Sequence, residues 1–213
     1  MGLDLVVESC AKPNHEREWR QLLEKHYSSD DELSEEEIER FQAVSVPAYE
    51  RIGAPRVGQD DAANKWAIET EEAKTPDEIA AALEEWDGYY AVHLVKCDGV
   101  PKYSDGGSYE GVDATSFRGA FLETCPNVIT DDLLHEAWEN KFPEQAVTYG
   151  KALLAAADAA ESGAAPARKP ASGRSKKRQA EPAPKAEPLD IVRAAGRWYI
   201  FWGERGHPIG AWY

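Results

Sequence analysis

Hydrophobic positions along the chain follow two rhythms, and the clearest period-two stretch lies near the middle. Tyr90, Val92 and Leu94 alternate with Tyr89, Ala91, His93 and Val95, leaving both faces of Tyr89–Cys97 apolar. That pattern predicts an interior strand covered on two sides. Asp98-Gly99 comes next, a pair that accepts positive φ at both central positions of a type I′ turn, so Val100–Tyr103 becomes the second arm of a hairpin. Pro101 in that arm marks a sheet edge, because its missing N–H tolerates no further partner. Leu3–Ser9 reads as another short strand. At the far end, LDIVRAA, RWYIFW and HPIGAWY are separated by Gly196 and by the Gly203–Gly206 loop, which reads as an aromatic meander. Trp198, Ile200 and Trp202 then share one face, Tyr199 and Phe201 the other.

Helical spacing governs most of the rest. Trp19, Leu22, Leu23, His26 and Tyr27 predict a helix from about His15, with Asn14 as its N-cap. Ser34 and Glu37 form an S-x-x-E capping box ahead of a narrow apolar stripe, Ile38 and Phe41. Thr75-Pro76-Asp77-Glu78 combines an N-cap, proline at the first helical position and glutamate at the third, and Ile79, Leu83 and Trp86 line one face of the helix it begins. Alanine-rich AANKWAIETEEA, Ser116–Thr124, a segment capped by Thr130, and Pro143–Glu161 complete the helices.

The elements add up to an α+β fold: an antiparallel sheet, with strands near 3–9, 89–97, 100–103, 190–194, 197–202 and 208–213, packed against several helices. Residues 163–188 have almost no side chain able to enter a core and are rich in alanine, proline, lysine and arginine, which predicts a flexible, disordered linker that trypsin cuts first. The expected organisation is an acidic body, 1–162, the linker, and a meander, 189–213, that completes the sheet of the same domain.

Charge sharpens this picture. The chain has 24 basic and 39 acidic residues, net −15. The linker alone holds seven basic residues and two acidic ones, leaving 17 basic and 37 acidic elsewhere, net −20. A surface this acidic repels nucleic acid, although the basic linker can touch phosphate weakly, and it favours a basic protein partner. The densest acidic run supplies the candidate contact residues Asp30, Asp31, Glu32, Glu35, Glu36, Glu37 and Glu39. No apolar run approaches membrane-spanning length, and the N-terminus lacks the basic and apolar regions of a signal peptide, so a cytoplasmic protein is expected. Cys10, Cys97 and Cys125 are odd in number and far apart, as free reduced thiols are.

Chemistry is sparse. The five histidines show no H-E-x-x-H spacing, and neither a P-loop nor a dinucleotide-binding glycine pattern occurs. No catalytic residue, metal or cofactor is assigned. His93 shares a strand face with Cys97, but a core histidine with satisfied ring nitrogens is the simpler reading. The polar loop SDGGSYEGVDATS before a helix start offers a cradle for a small polar ligand, with His93, Asp105, Tyr109, Asp113, Ser116 and Arg118 as its candidate lining. Two functions are therefore expected in order. The first is a non-enzymatic, immunity- or inhibitor-like protein, of a composition common in bacterial chains, that binds a basic protein through its acidic helical surface. The second is a small-molecule enzyme or sensor built on residues 98–118. Oligomeric state is left open.

Overall fold

The computed structural model describes residues 2–28, 33–91, 94, 115–163 and 188–213. They divide into two compact units, Met1–Val46 with Val100–Tyr213, and Pro47–Gly99.

The first unit is built on a three-stranded antiparallel sheet. Its strands are β1 at Asp4–Val7, β4 at Ser116–Phe117 and β5 at Ile209–Trp212, in the order β4-β1-β5. Leu5 pairs with Phe117 on one side and Ala211 on the other. β1 is thus the central strand. Its period-two pattern buries Leu3, Leu5 and Val7 and leaves Asp4, Val6 and Glu8 on the more open face. The outer edge of β5 is blunted: Ile209 exchanges two backbone bonds with Lys141, and Asn140 Oδ1 accepts from the Ala211 N–H at 2.9 Å. A second antiparallel pair joins β2, Cys10–Ala11, to β3, Ser45–Val46.

Helices α1, Glu16–Tyr27, and α2, Glu35–Ala43, pack across this pair. α2 starts at the capping box read from Ser34 and Glu37, and Trp19, Leu23 and Val44 form the local core. After β4 a 3-10 helix covers Gly119–Thr124, and α6 runs over Asp131–Glu136, capped by Thr130 as its sequence predicts. Two long antiparallel helices come next, α7 at Pro143–Glu161 and α8 at Pro188–Gly203.

α8 corrects the strands expected near 190–194 and 197–202. Ile191, Val192, Ala195, Trp198, Tyr199 and Trp202 are all buried and recur at helical spacing. Gly196 is not a turn but a point of close approach. A Cβ there would lie 2.8 Å from the Gly150 carbonyl oxygen, and one at Gly150 would lie 2.6 Å from that of Gly196. Bare backbone therefore lets α7 and α8 touch. The meander shrinks to β5, which does join the sheet.

The second unit holds α3, Ala48–Arg51, α4, Asp61–Thr70, and α5, Pro76–Glu85, the last begun by the Thr75–Glu78 capping box. Val57, Ala63, Ala67 and Ala91 form its core, with Trp66, Leu83 and Trp86 packed against it. The start of the expected interior strand 89–97 lies here. Tyr90 makes one isolated bridge to Arg56, Tyr89 is 46 % exposed, and the Leu94 N–H donates to the Ala91 carbonyl. Its described residues belong to a local clasp rather than to the central sheet. The remainder of that strand, the 98–103 hairpin and residues 164–187 lie outside the described residues.

Candidate functional site

β1 ends at Val7, and Glu8 continues from it into a cleft of about 680 Å³ in the first unit. The backbone of Glu8 is held from one segment. Its N–H donates to Pro208 O at 2.9 Å, and its carbonyl accepts from His207 Nδ1 at 2.7 Å. His207 is fully buried with its ring edge-on to Trp202, so the clamp is anchored in the core. Gly210 opposite leaves room for the carboxyl: a Cβ there would lie 2.6 Å from Glu8 Oε1 and 3.1 Å from Trp212 Nε1.

The walls come from the ends of other elements. α1 contributes His26, and α2 contributes Ile38, Phe41 and Gln42. Trp212, the last residue of β5, closes the other side and is 60 % exposed. The α2 wall is fixed to α1 by two ion pairs, Lys25–Glu37 at 2.8 Å and Arg40–Glu18 at 2.5 Å. Its apolar stripe is only partly covered, for Ile38 remains 44 % exposed. Tyr27 lies behind His26, with its hydroxyl buried and without a hydrogen-bond partner among the described residues.

Electrostatics single out Glu8. Burial lifts its carboxyl above the usual carboxylate range, and the charge of His26 opposes that rise. Tyr27 is pushed up in turn, by burial first and by the Glu8 charge second. Four acidic side chains of the described first unit are half-buried: Asp4, Glu8, Glu18 and Glu37. Asp4, Glu18 and Glu37 each hold a lysine or arginine nitrogen, at 2.6, 2.5 and 2.8 Å. Glu8 holds none among the described residues.

The residues expected to form a contact surface fall on and before α2. Glu35, Glu36 and Glu39 are exposed on α2 and make no ion pair among the described residues, whereas Glu37 is engaged. Two hydrogen bonds to Lys25 and those to Ser34 depress the Glu37 carboxyl to about 2, so it locks the helix start rather than facing a partner. Asp30, Asp31 and Glu32 lie outside the described residues. So do His93, Asp105, Tyr109 and Asp113 of the expected ligand loop. Ser116 is part of β4, paired with Val6, and Arg118 holds both carboxylate oxygens of Asp4 at 2.7 and 2.6 Å.

A second cavity, about 310 Å³, contains Glu136, Lys141 and Tyr149. Lys141 is almost fully buried, and desolvation lowers its pKa, but its ammonium donates to the Glu136 carbonyl and lies 4.9 Å from the Tyr149 ring centre. It closes the end of α6 and is satisfied there. No group of three or more metal-ligating side chains occurs among the described residues, and none of their helices is long and apolar enough to cross a membrane.

Glu8 is absent from the site residues that the sequence suggests. The available signal is slight: an acid continuing the open face of a strand, with a glycine and a tryptophan at alternate positions far along the chain. Comparison with protein-family models, with curated proteins and with solved structures yields no match.

Proposed function

We propose that this protein works by binding a basic protein partner in the cytosol, in the manner of an immunity or inhibitor protein, with α2 at the centre of the contact surface. One observation carries the reading. A single helix presents three uncompensated carboxylates, Glu35, Glu36 and Glu39, and also forms a wall of the cleft that Glu8 enters. Charge on the rim steers a cationic partner, and the cleft beside it, with Phe41, Ile38 and Trp212 in its lining, supplies the desolvated contact that holds one.

The test is kinetic. Once a partner is purified, its association rate is followed by surface plasmon resonance from low to high salt, with the wild type and with a Glu35→Gln, Glu36→Gln, Glu39→Gln triple variant. Steered association slows by roughly ten-fold or more when such a field is removed. Glu37 is left intact, because its loss would disturb the start of α2. An association rate independent of salt and unchanged in the triple variant refutes the proposal.

A further inference from the structure

We infer that the Glu8 cleft is a socket for one arginine side chain of the partner, with Glu8 accepting the guanidinium and Trp212 and Phe41 flanking it. The source of the arginine rests on the partner-binding function proposed for α2, whereas the chemistry of the socket does not.

No lysine or arginine lines the cleft among the described residues; His26 is its one group able to carry positive charge. Each other half-buried acid of the described first unit holds a lysine or arginine, and Glu8 keeps a carboxyl unpaired among the described residues, on a floor cleared by Gly210. A carboxylate partly withdrawn from water without a cation beside it costs free energy, and the complement it lacks is a charged donor. The walls narrow the choice of donor. An ammonium is a compact and strongly hydrated point charge, whereas a guanidinium is flat, weakly hydrated and carries paired N–H groups that match the two carboxylate oxygens. Two aromatic side chains, Phe41 and Trp212, belong to the lining, Trp212 60 % exposed, and a planar cation stacks on such rings. Ile38, 44 % exposed at the rim, gives the methylene stem an apolar surface to lie along. The volume of about 680 Å³ admits one such side chain with water around it and needs no rearrangement of the walls.

The position of His26 adds specificity. It is the only side chain able to carry positive charge that lines the cleft among the described residues, and its charge reaches Glu8 from α1 with no ion pair between the two among the described residues.

The probe is N-acetyl-arginine amide, titrated into the full chain and followed by tryptophan fluorescence and by ¹H–¹⁵N spectra. Saturable binding is expected, at least ten-fold weaker in Glu8→Gln, and at least several-fold weaker for N-acetyl-lysine amide. Trp212→Ala, at an exposed position, provides an independent arm and should also weaken binding several-fold. No saturable binding, equal binding by Glu8→Gln, or equal binding of the lysine probe overturns the socket. Free arginine or agmatine binding ten-fold more tightly than the blocked amide would overturn the assignment to a protein side chain and indicate a small metabolite.

The two proposals fail separately. If the socket is wrong and the acidic surface right, Glu8→Gln leaves partner affinity unchanged while the triple α2 variant still slows association. If the partner reading is wrong and the socket right, the arginine probe still distinguishes wild type from Glu8→Gln while salt has no effect on any protein partner.

Discussion

Replacing Gly150 by alanine should destabilise the first unit although alanine is the better helix former. In an exposed helix interior the exchange gains about 1 kcal/mol. At the seam between α7 and α8 the new methyl would lie 2.6 Å from the Gly196 carbonyl oxygen, 2.8 Å from Ile200 Cγ1 and 3.0 Å from Tyr199 Cβ. Ordinary contact needs roughly 3.5 Å, so the helices must part by something under 1 Å or tilt. Two of the three obstacles are fixed by backbone, not flexible tips, and the seam buries Tyr149, Leu153, Tyr199 and Trp202. Overpacking of this kind costs about 1–3 kcal/mol, and the upper end applies where backbone meets the new methyl. The net loss is then about 1–2 kcal/mol, a fall in Tm of roughly 2–8 °C for a chain of this size. Melting followed by tryptophan fluorescence reports it through the buried Trp198 and Trp202. Gly196→Ala presses on the same seam from the other side, 2.8 Å from the Gly150 carbonyl oxygen, so the double variant should lose less than the sum of the singles. A rise in Tm for Gly150→Ala, or strict additivity in the double variant, would refute the close contact between the two helices.

Other expectations concern single side chains. Trp198 is fully buried beside Phe117 and Tyr199, so Trp198→Ala should cost about 3–5 kcal/mol by urea denaturation, and a loss below about 1 kcal/mol would show that the site collapses freely. Glu8 has a folded pKa raised above its unfolded value, so its contribution to stability is fully present below the unfolded pKa of about 4.3 and is lost as pH rises through the folded one. Glu8→Gln should therefore raise Tm at pH 7 and leave it unchanged in acid; a lower Tm at neutral pH would mean that Glu8 is paired. Cys125 is buried and its thiol is pushed up to about 11, leaving a thiolate fraction on the order of one in a thousand at pH 8. Mass spectrometry after brief exposure to iodoacetamide should find it unmodified until the protein is denatured.

The legible part of the sequence is local. Capping boxes at Ser34–Glu37 and Thr75–Glu78 need only four consecutive residues, and both helices start where those residues put them. α8 defeats a strand reading for the opposite reason. Trp198, Ile200 and Trp202 satisfy a period of two over five residues, while the helical stripe from Ile191 to Trp202 emerges only when Gly196 is not taken as a break. That glycine is explained by a neighbour on α7, which is a tertiary fact. The same holds for Glu8, whose surroundings are assembled from β1, α1, α2 and β5, so that no spacing within any one segment announces it. The acidic face is visible from composition alone, but composition cannot separate Glu37, engaged by Lys25 and Ser34, from the exposed carboxylates beside it.

The central place of β1 also sets an order of events during synthesis. Residues 47–99 find every partner of their unit within one contiguous stretch, and can close their core while the ribosome is still at work. β1 cannot: one flank is β4, and the other is β5, which lies far along the chain from it. A strand waiting for distant partners meets the loop-closure entropy late and stays open to pairing with other chains meanwhile. Maturation of the first unit, with it the Glu8–Trp212 pocket, thus waits for Ile209–Trp212 to emerge, and a nascent chain stalled before Ile209 cannot complete it.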